Sequence, residues 1–127
     1  MLGRFKVILD ANALLIPGEF RVDVFTELGN FGRPVFCTLN LVIGELEKIA
    51  EGRGKDSGSA KLALRLLREN QVQVLAAEGK NTDLEILKVA RRGNFAVLTQ
   101  DRALIRKLKE KGVPVLTLRQ KKYLVKA

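Results

Sequence analysis

The sequence predicts an α/β fold built on a parallel sheet, and three observations carry that expectation. Five short β-rich runs, at 6–9, 34–38, 72–75, 95–98 and 113–116, are bounded by Gly, Asn or Pro and separated by segments with apolar residues at helical spacing. Strands joined through helices in strict alternation run parallel, because each connection must cross back over the sheet. Several carboxylates also fall just after strand ends, where open parallel sheets build their sites. At 127 residues the chain is long enough to bury one core and short for two.

Taken in order, "VILDANALL" (7–15) opens as a strand apolar on both faces and then places Asp10 and Asn12 at its exit. A helix is expected over 19–28, a strand over 34–38, and a helix over 41–51. The segment "EGRGKDSGSAK" (51–61) is polar and glycine-rich, which predicts a long mobile loop before a helix over 59–69. Further on, "NTDLEIL" starts a helix over 82–92 after the third strand, and "LTQDRAL" leads from the fourth strand into a helix over 102–111. Gly112 stops that helix, Pro114 opens the last strand, and residues 119–127 are expected as a basic tail. No repeat, low-complexity tract or linker divides the chain, so a single domain over 1–127 is expected.

Composition excludes several chemistries. Cys37 is the lone cysteine and histidine is absent, which removes internal disulfides, Cys/His zinc sites and every nucleophile paired with histidine. A hydrolase of this composition must work with carboxylates and a metal bound through oxygen. The apolar runs are far shorter than the roughly 20 residues a bilayer demands, and the N-terminus does not have the pattern of a signal peptide. No membrane association is expected, and a cytoplasmic location is. Lys and Arg number 23 against 14 Asp and Glu, with nine of the basic residues and a single acid from Arg102 onward. That field attracts a polyanion by steering and counterion release. Few aromatics are present for base stacking, which argues against sequence-specific readout.

Sorting the acids by position brings four to one sheet edge: Asp10 after the first strand, Glu45 one turn into the helix after the second, Asp83 at the helix after the third, and Asp101 after the fourth. Each has an ordinary explanation as well. Thr82 and Glu85 could form a capping box with Asp83 as a first-turn acid, Asp101 could cap its helix, and Asp10 with Asn12 could serve a turn. Glu45 shares a helix face with Leu41 and Ile49, which suggests a carboxylate held against apolar surface. Together, four unpaired carboxylates at one edge would repel, and a hard divalent cation such as Mg²⁺ or Mn²⁺ resolves the conflict.

In order and spacing, "ILDANALL", "IGELEKI", "NTDLEILKVA" and "VLTQDRAL" resemble the PIN-domain ribonucleases over essentially the whole chain. The resemblance implies a three-layer α/β/α PIN-like domain with a four- to five-stranded parallel sheet, and Mg²⁺- or Mn²⁺-dependent cleavage of RNA. Asp10, Glu45, Asp83 and Asp101 would be the catalytic, metal-holding quartet, with Asn12 and Thr99 in support. Where many members carry two adjacent Asp residues, this chain has Asp83 followed by Leu84, which makes Glu85 a further supporting candidate. Within the family, "GELEKI" and the basic C-terminal stretch look closer to the PIN proteins of small-subunit ribosomal RNA processing and their archaeal relatives than to VapC toxins. Arg102, beside Asp101, and Arg53 and Lys55 on the polar loop are the expected contacts to the RNA backbone.

Alternative readings are a non-catalytic RNA-binding ribosome-assembly protein on the same fold and a VapC-type toxin held by an antitoxin. Partners expected on these readings are RNA, a second copy of the chain, and an assembly factor or antitoxin. A phosphoacceptor receiver domain fits poorly, because residues 76–81 offer only Glu78 as an acid and no lysine follows the fifth strand directly.

Overall fold

The computed structural model describes residues 3–127. Six strands form one sheet: β1 (Arg4–Leu9), β2 (Arg33–Leu39), β3 (Gln73–Leu75), β4 (Phe95–Leu98), β5 (Val115–Arg119) and β6 (Tyr123–Lys126), ordered β3-β2-β1-β4-β5-β6. The first five run parallel and β6 pairs antiparallel with β5. Seven helices connect them: α1 (Ala11–Leu14), α2 (Ile16–Phe20), α3 (Val24–Leu28), α4 (Asn40–Glu51), α5 (Lys55–Glu69), α6 (Thr82–Ala90) and α7 (Arg102–Glu110), with a short 3-10 turn at Gly29–Phe31. The sheet grows outward from β1 through β2 to β3, then returns to add β4 and β5 on the other side of β1. Right-handed crossovers therefore put the helices before β3 on one face and α6 and α7 on the opposite one. Packing follows that division: α4 and α2 lie against α5, and α6 lies against α7. Val7, Ile8 and Leu9 of the central strand are sealed from solvent by both layers, as are Val97 and Leu98 beside them.

Four elements differ from expectation, each for a tertiary reason. The sheet has six strands, not four to five in an all-parallel arrangement, because the expected tail folds back: β6 buries Leu124, and Glu27 Oε1 of α3 accepts a hydrogen bond from the Leu124 backbone N–H at 3.1 Å. The helix expected over 19–28 is two helices. Arg21 turns left-handed at φ 57°, and Asp23 restarts the chain by accepting from the N–H groups of Phe25 and Thr26, both at 3.1 Å. The glycine-rich segment is mostly helix, α5 beginning at Lys55. Its small residues serve a close approach: a Cβ on Gly18 of α2 would lie 2.7 Å from the Ser59 Cα, so only glycine fits there. Ser57 Oγ also donates to the Ala50 carbonyl at 2.9 Å, folding α5 back onto α4. Finally, Asn81 is the cap of α6 and accepts from Leu84 N–H at 3.0 Å, so the expected Thr82–Glu85 capping box does not form. No helix among the described residues is long and apolar enough to cross a membrane.

Candidate metal centre

Strand order reverses between β1 and β4, and the chain leaves both strands at the same edge. Asp10 sits at that exit, 5% exposed. Its Oδ1 accepts the Ala11 N–H at 2.8 Å, capping α1. On Oδ2 it accepts the Thr99 hydroxyl at 2.7 Å and the Asn12 amide at 3.3 Å. Thr99, wholly buried one residue past β4, in turn accepts the Asp101 N–H at 3.2 Å. Asn12 ties the other exit loop down by accepting the Gln100 N–H at 2.9 Å. The two loops that carry Asp10 and Asp101 are thus laced together across the switch point.

Asp101 caps α7, accepting from Ala103 N–H at 2.9 Å and Leu104 N–H at 3.1 Å. Both bonds end on Oδ1, which leaves Oδ2 for other partners. Asp83, at the start of α6, has its carboxyl within side-chain hydrogen-bonding reach of Asp101. Glu45 is exposed on α4 rather than held against apolar surface as expected, with Thr82 near enough to favour its charged form.

Electrostatics bind the four acids into one system. Burial pushes the Asp10 carboxyl above the usual range; hydrogen bonds from Thr99, Ala11 and Asn12 pull it down, and the charge of Asp101 pushes it up again. Partial burial raises Asp83, and Asp10 and Asp101 raise it further while Lys107 of α7 opposes them. Glu45 is raised first by desolvation, then by Asp10 and Asp83, against Thr82 and Lys48. Asp10, Glu45 and Asp83 each feel at least one other member of the quartet, which brings their carboxyls and that of Asp101 to the same edge.

Those residues fit a hard divalent cation. The donors are all carboxylate oxygen, and two carboxyls in hydrogen-bonding reach, Asp83 and Asp101, need a proton or a cation between them. Among the described residues no three Asp, Glu, Cys or His side chains crowd closely enough to grip an ion unaided. A cation that retains waters in its shell suits such a loose set better than one that needs a closed cage.

Other candidates fall elsewhere. Glu85 does not join the quartet: it is 8% exposed, pairs with Lys88 at 3.2 Å, and packs on Gly79, where a Cβ would meet its Oε2 at 2.6 Å. Arg102 is exposed beside Asp101, whereas Arg53 and Lys55 lie at the α4–α5 junction, two turns beyond Glu45 and roughly 12 Å along the helix axis. Sequence reasoning passed over two contributors. Gln100 anchors the β4 exit to β5, its Oε1 accepting both the Thr117 hydroxyl and the Leu118 N–H at 2.7 Å. Asn40, first in α4, exchanges hydrogen bonds with Ala77: its Oδ1 accepts the Ala77 N–H at 2.8 Å and its Nδ2 donates to the Ala77 carbonyl at 3.1 Å. That clamp fixes the loop leading to Asp83 against the helix carrying Glu45. A polar residue at a strand exit is the only trace either leaves in the sequence.

A mostly parallel α/β/α sheet with carboxylates gathered at its switch point defines a class of acid-centred domains. The chain belongs to the PIN-like family, the profile described as "PIN like domain" matching residues 7–121. Among curated proteins it is 33% identical to Ribonuclease VapC9 of Archaeoglobus fulgidus, covering 91% of this chain and 84% of that protein. It is 29% identical to Ribonuclease VapC4 of Methanocaldococcus jannaschii over 94% of each chain. In structure it resembles the PIN domain endonuclease Utp24, with a TM-score of 0.82, 22% identity, and coverage of 99% of this chain and 94% of the other. A domain of a functionally unknown protein from Methanocaldococcus jannaschii superposes with a TM-score of 0.66 at 23% identity, over 91% of each chain. The two curated relatives thus bear the VapC name rather than that of the ribosomal RNA-processing type expected from the motifs, and the likeness to Utp24 at 22% identity speaks for the fold alone.

Proposed function

We propose that this protein is an endoribonuclease dependent on Mg²⁺ or Mn²⁺, residues 1–127 acting as one domain. The observation that carries the reading is the gathering of the four acids where strand order reverses between β1 and β4, close enough that Asp101 raises Asp10 and Asp83, and that Asp10 and Asp83 raise Glu45. Asp10, Glu45, Asp83 and Asp101 would hold the cation. When bound, such an ion neutralises the edge and lends Lewis acidity toward water and phosphate oxygens.

The remaining work belongs to the chain's own groups. The hydrogen bonds from Thr99 and Ala11 favour the charged form of Asp10 against its burial and aim it, while Asn12 locks the two exit loops at one separation. Lys107 offsets part of the charge on Asp83. Arg102, with Arg53 and Lys55 farther out, would hold the RNA backbone without choosing bases. The identities with two ribonucleases support this assignment of substrate.

Cleavage of labelled single-stranded RNA with Mn²⁺, with Mg²⁺ and with EDTA tests the proposal, using Asp10→Asn as the control. The expected result is divalent-dependent cutting that leaves 5′-phosphate and 3′-hydroxyl ends and disappears in the variant. RNA binding by both forms with cleavage by neither would favour a non-catalytic ribosome-assembly role instead. The cellular role has two readings. The identity with VapC9 favours a toxin in the cytoplasm with an antitoxin partner, and the basic C-terminal stretch favours ribosomal RNA processing. Growth arrest on expression, relieved by Asp10→Asn, would select the first.

A further inference from the structure

The fifth strand overshoots its neighbour at the acidic edge. Leu98, the end of β4, pairs with Leu116, yet β5 continues to Arg119 before turning. At ~3.3 Å per residue the overhang rises roughly 10 Å above the level of Leu98. Sheet order puts it one strand from β4 and two from β1, hence about 10 Å sideways from the strand that delivers Asp10. Its tip is Arg119, Gln120, Lys121 and Lys122, all exposed.

Two anchors hold this tip over the edge. Gln100, between Thr99 and Asp101, bonds Thr117 and Leu118 near the top of β5, so the acid-bearing loop and the overhang move as one. On the far side Lys121 Nζ lies 5.7 Å from the centroid of the Phe20 ring of α2. Gln120 and Lys121 adopt φ of 55° and 57°, a conformation a hairpin ordinarily assigns to Asn and Gly. Arg119 and Lys122 make no salt bridge, the ion pairs among the described residues being Arg65–Glu69 and Lys88–Glu85. A strand of RNA approaching the acids is repelled by them, and a pair of free cations beside them supplies the compensating attraction.

We infer that the tip of the β5–β6 hairpin is a backbone-phosphate contact for RNA lying across the acidic edge, with Arg119 and Lys122 as the contacting groups and Lys121 as the anchor. This rests on the ribonuclease reading, and the test separates the two. Binding of a fluorescein-labelled single-stranded RNA is measured by anisotropy from low to moderate salt, on Asp10→Asn protein with and without Arg119→Ala and Lys122→Ala. The same pair of substitutions on otherwise unaltered protein is assayed for Mn²⁺-dependent cleavage. Loss of two phosphate contacts predicts affinity weaker by about tenfold at low salt and a log–log salt slope shallower by about 1.4. In cleavage, KM rises and kcat stays within about twofold. Arg119→Lys with Lys122→Arg restores the slope, a recovery that a folding defect would not allow. Unchanged affinity and slope while RNA is still cut overturns the inference and leaves the ribonuclease reading intact. A shallower slope with no cleavage by any form upholds the hairpin contact and sinks the ribonuclease reading.

Discussion

Replacing Thr99 with Val removes one hydroxyl and almost no volume from a position that is wholly buried. That hydroxyl makes the shortest hydrogen bond to Asp10, at 2.7 Å, and accepts the Asp101 N–H at 3.2 Å. A hydrogen bond to a charged group contributes about 1.5–3 kcal/mol and one to a neutral group about 0.5–1.5 kcal/mol. At neutral pH the lost bond to the Asp10 carboxylate should therefore cost about 1.5–3 kcal/mol, with the Asp101 N–H bond adding a smaller loss that does not depend on pH. For a chain of this size that is roughly 6–12 °C in Tm. At a pH well below the ordinary carboxylate range, where Asp10 is protonated, the loss of that bond should shrink to about 0.5–1.5 kcal/mol. The sign follows from what the hydroxyl does: it favours the ionised carboxylate, so its contribution is present above the folded pKa of Asp10 and fades as pH falls through it. Calorimetric melts of the parent and Thr99→Val forms, at neutral and acid pH, measure both numbers. A loss that is the same at both pH values, or under 0.5 kcal/mol at pH 7, would refute the assignment of Thr99 as the group that keeps Asp10 charged.

Because burial and like charge raise Asp10, Glu45 and Asp83, the folded chain binds more protons than the unfolded one just above the ordinary carboxylate range, so the stability these groups contribute falls as pH rises through that window. Asp83→Asn should flatten the fall in a series of melts while abolishing cleavage. Saturating Mn²⁺, at ~100 times its dissociation constant, should add about 2.7 kcal/mol at pH 7, seen as a rise in Tm that EDTA reverses and Asp83→Asn diminishes. Asn40→Ala breaks both bonds to Ala77 and should lower stability by about 1–2 kcal/mol. Its kcat should fall several-fold with KM little changed, in steady-state cleavage assays. Gly18→Val would drive a side chain into the Ser59 backbone and should cost about 2 kcal/mol or more in denaturant unfolding, since neither helix can yield without parting from the other.

What could be read from the residues was whatever their near neighbours decide. Val7–Leu9 followed by Asp10 announces a central strand and its exit, and Asp101 before an amphipathic helix announces a cap; both are features of a few consecutive positions. Six strands were not legible because the β5–β6 turn uses Gln120, Lys121 and Lys122, with neither Gly nor Asn to mark it, and because the charged run just before β6 obscures the start of a strand that buries Leu124. The start of α5 was masked by glycines retained for the approach of α2. At the candidate site the order of the acids was visible, since topology alone sends them to one edge. Gln100 and Asn40 were not, because their partners lie 17 and 37 residues away. Glu85 was offered as a supporting acid because Leu84 stands where many family members carry a second Asp; two residues past Asp83 on a helix, it lies on a different face and meets Lys88.

The bond from the Leu124 N–H to Glu27 reaches beyond the stability of β6. An outermost strand offers its unpaired backbone groups to any chain that can lie alongside, and α3 has taken one of those groups out of circulation. On that flank a foreign strand would have to displace a carboxylate before it could dock. At the opposite flank stands β3, three residues long with Val74 half in solvent, too short a rail for lengthy ribbon growth. Both flanks thereby resist extension into a common sheet.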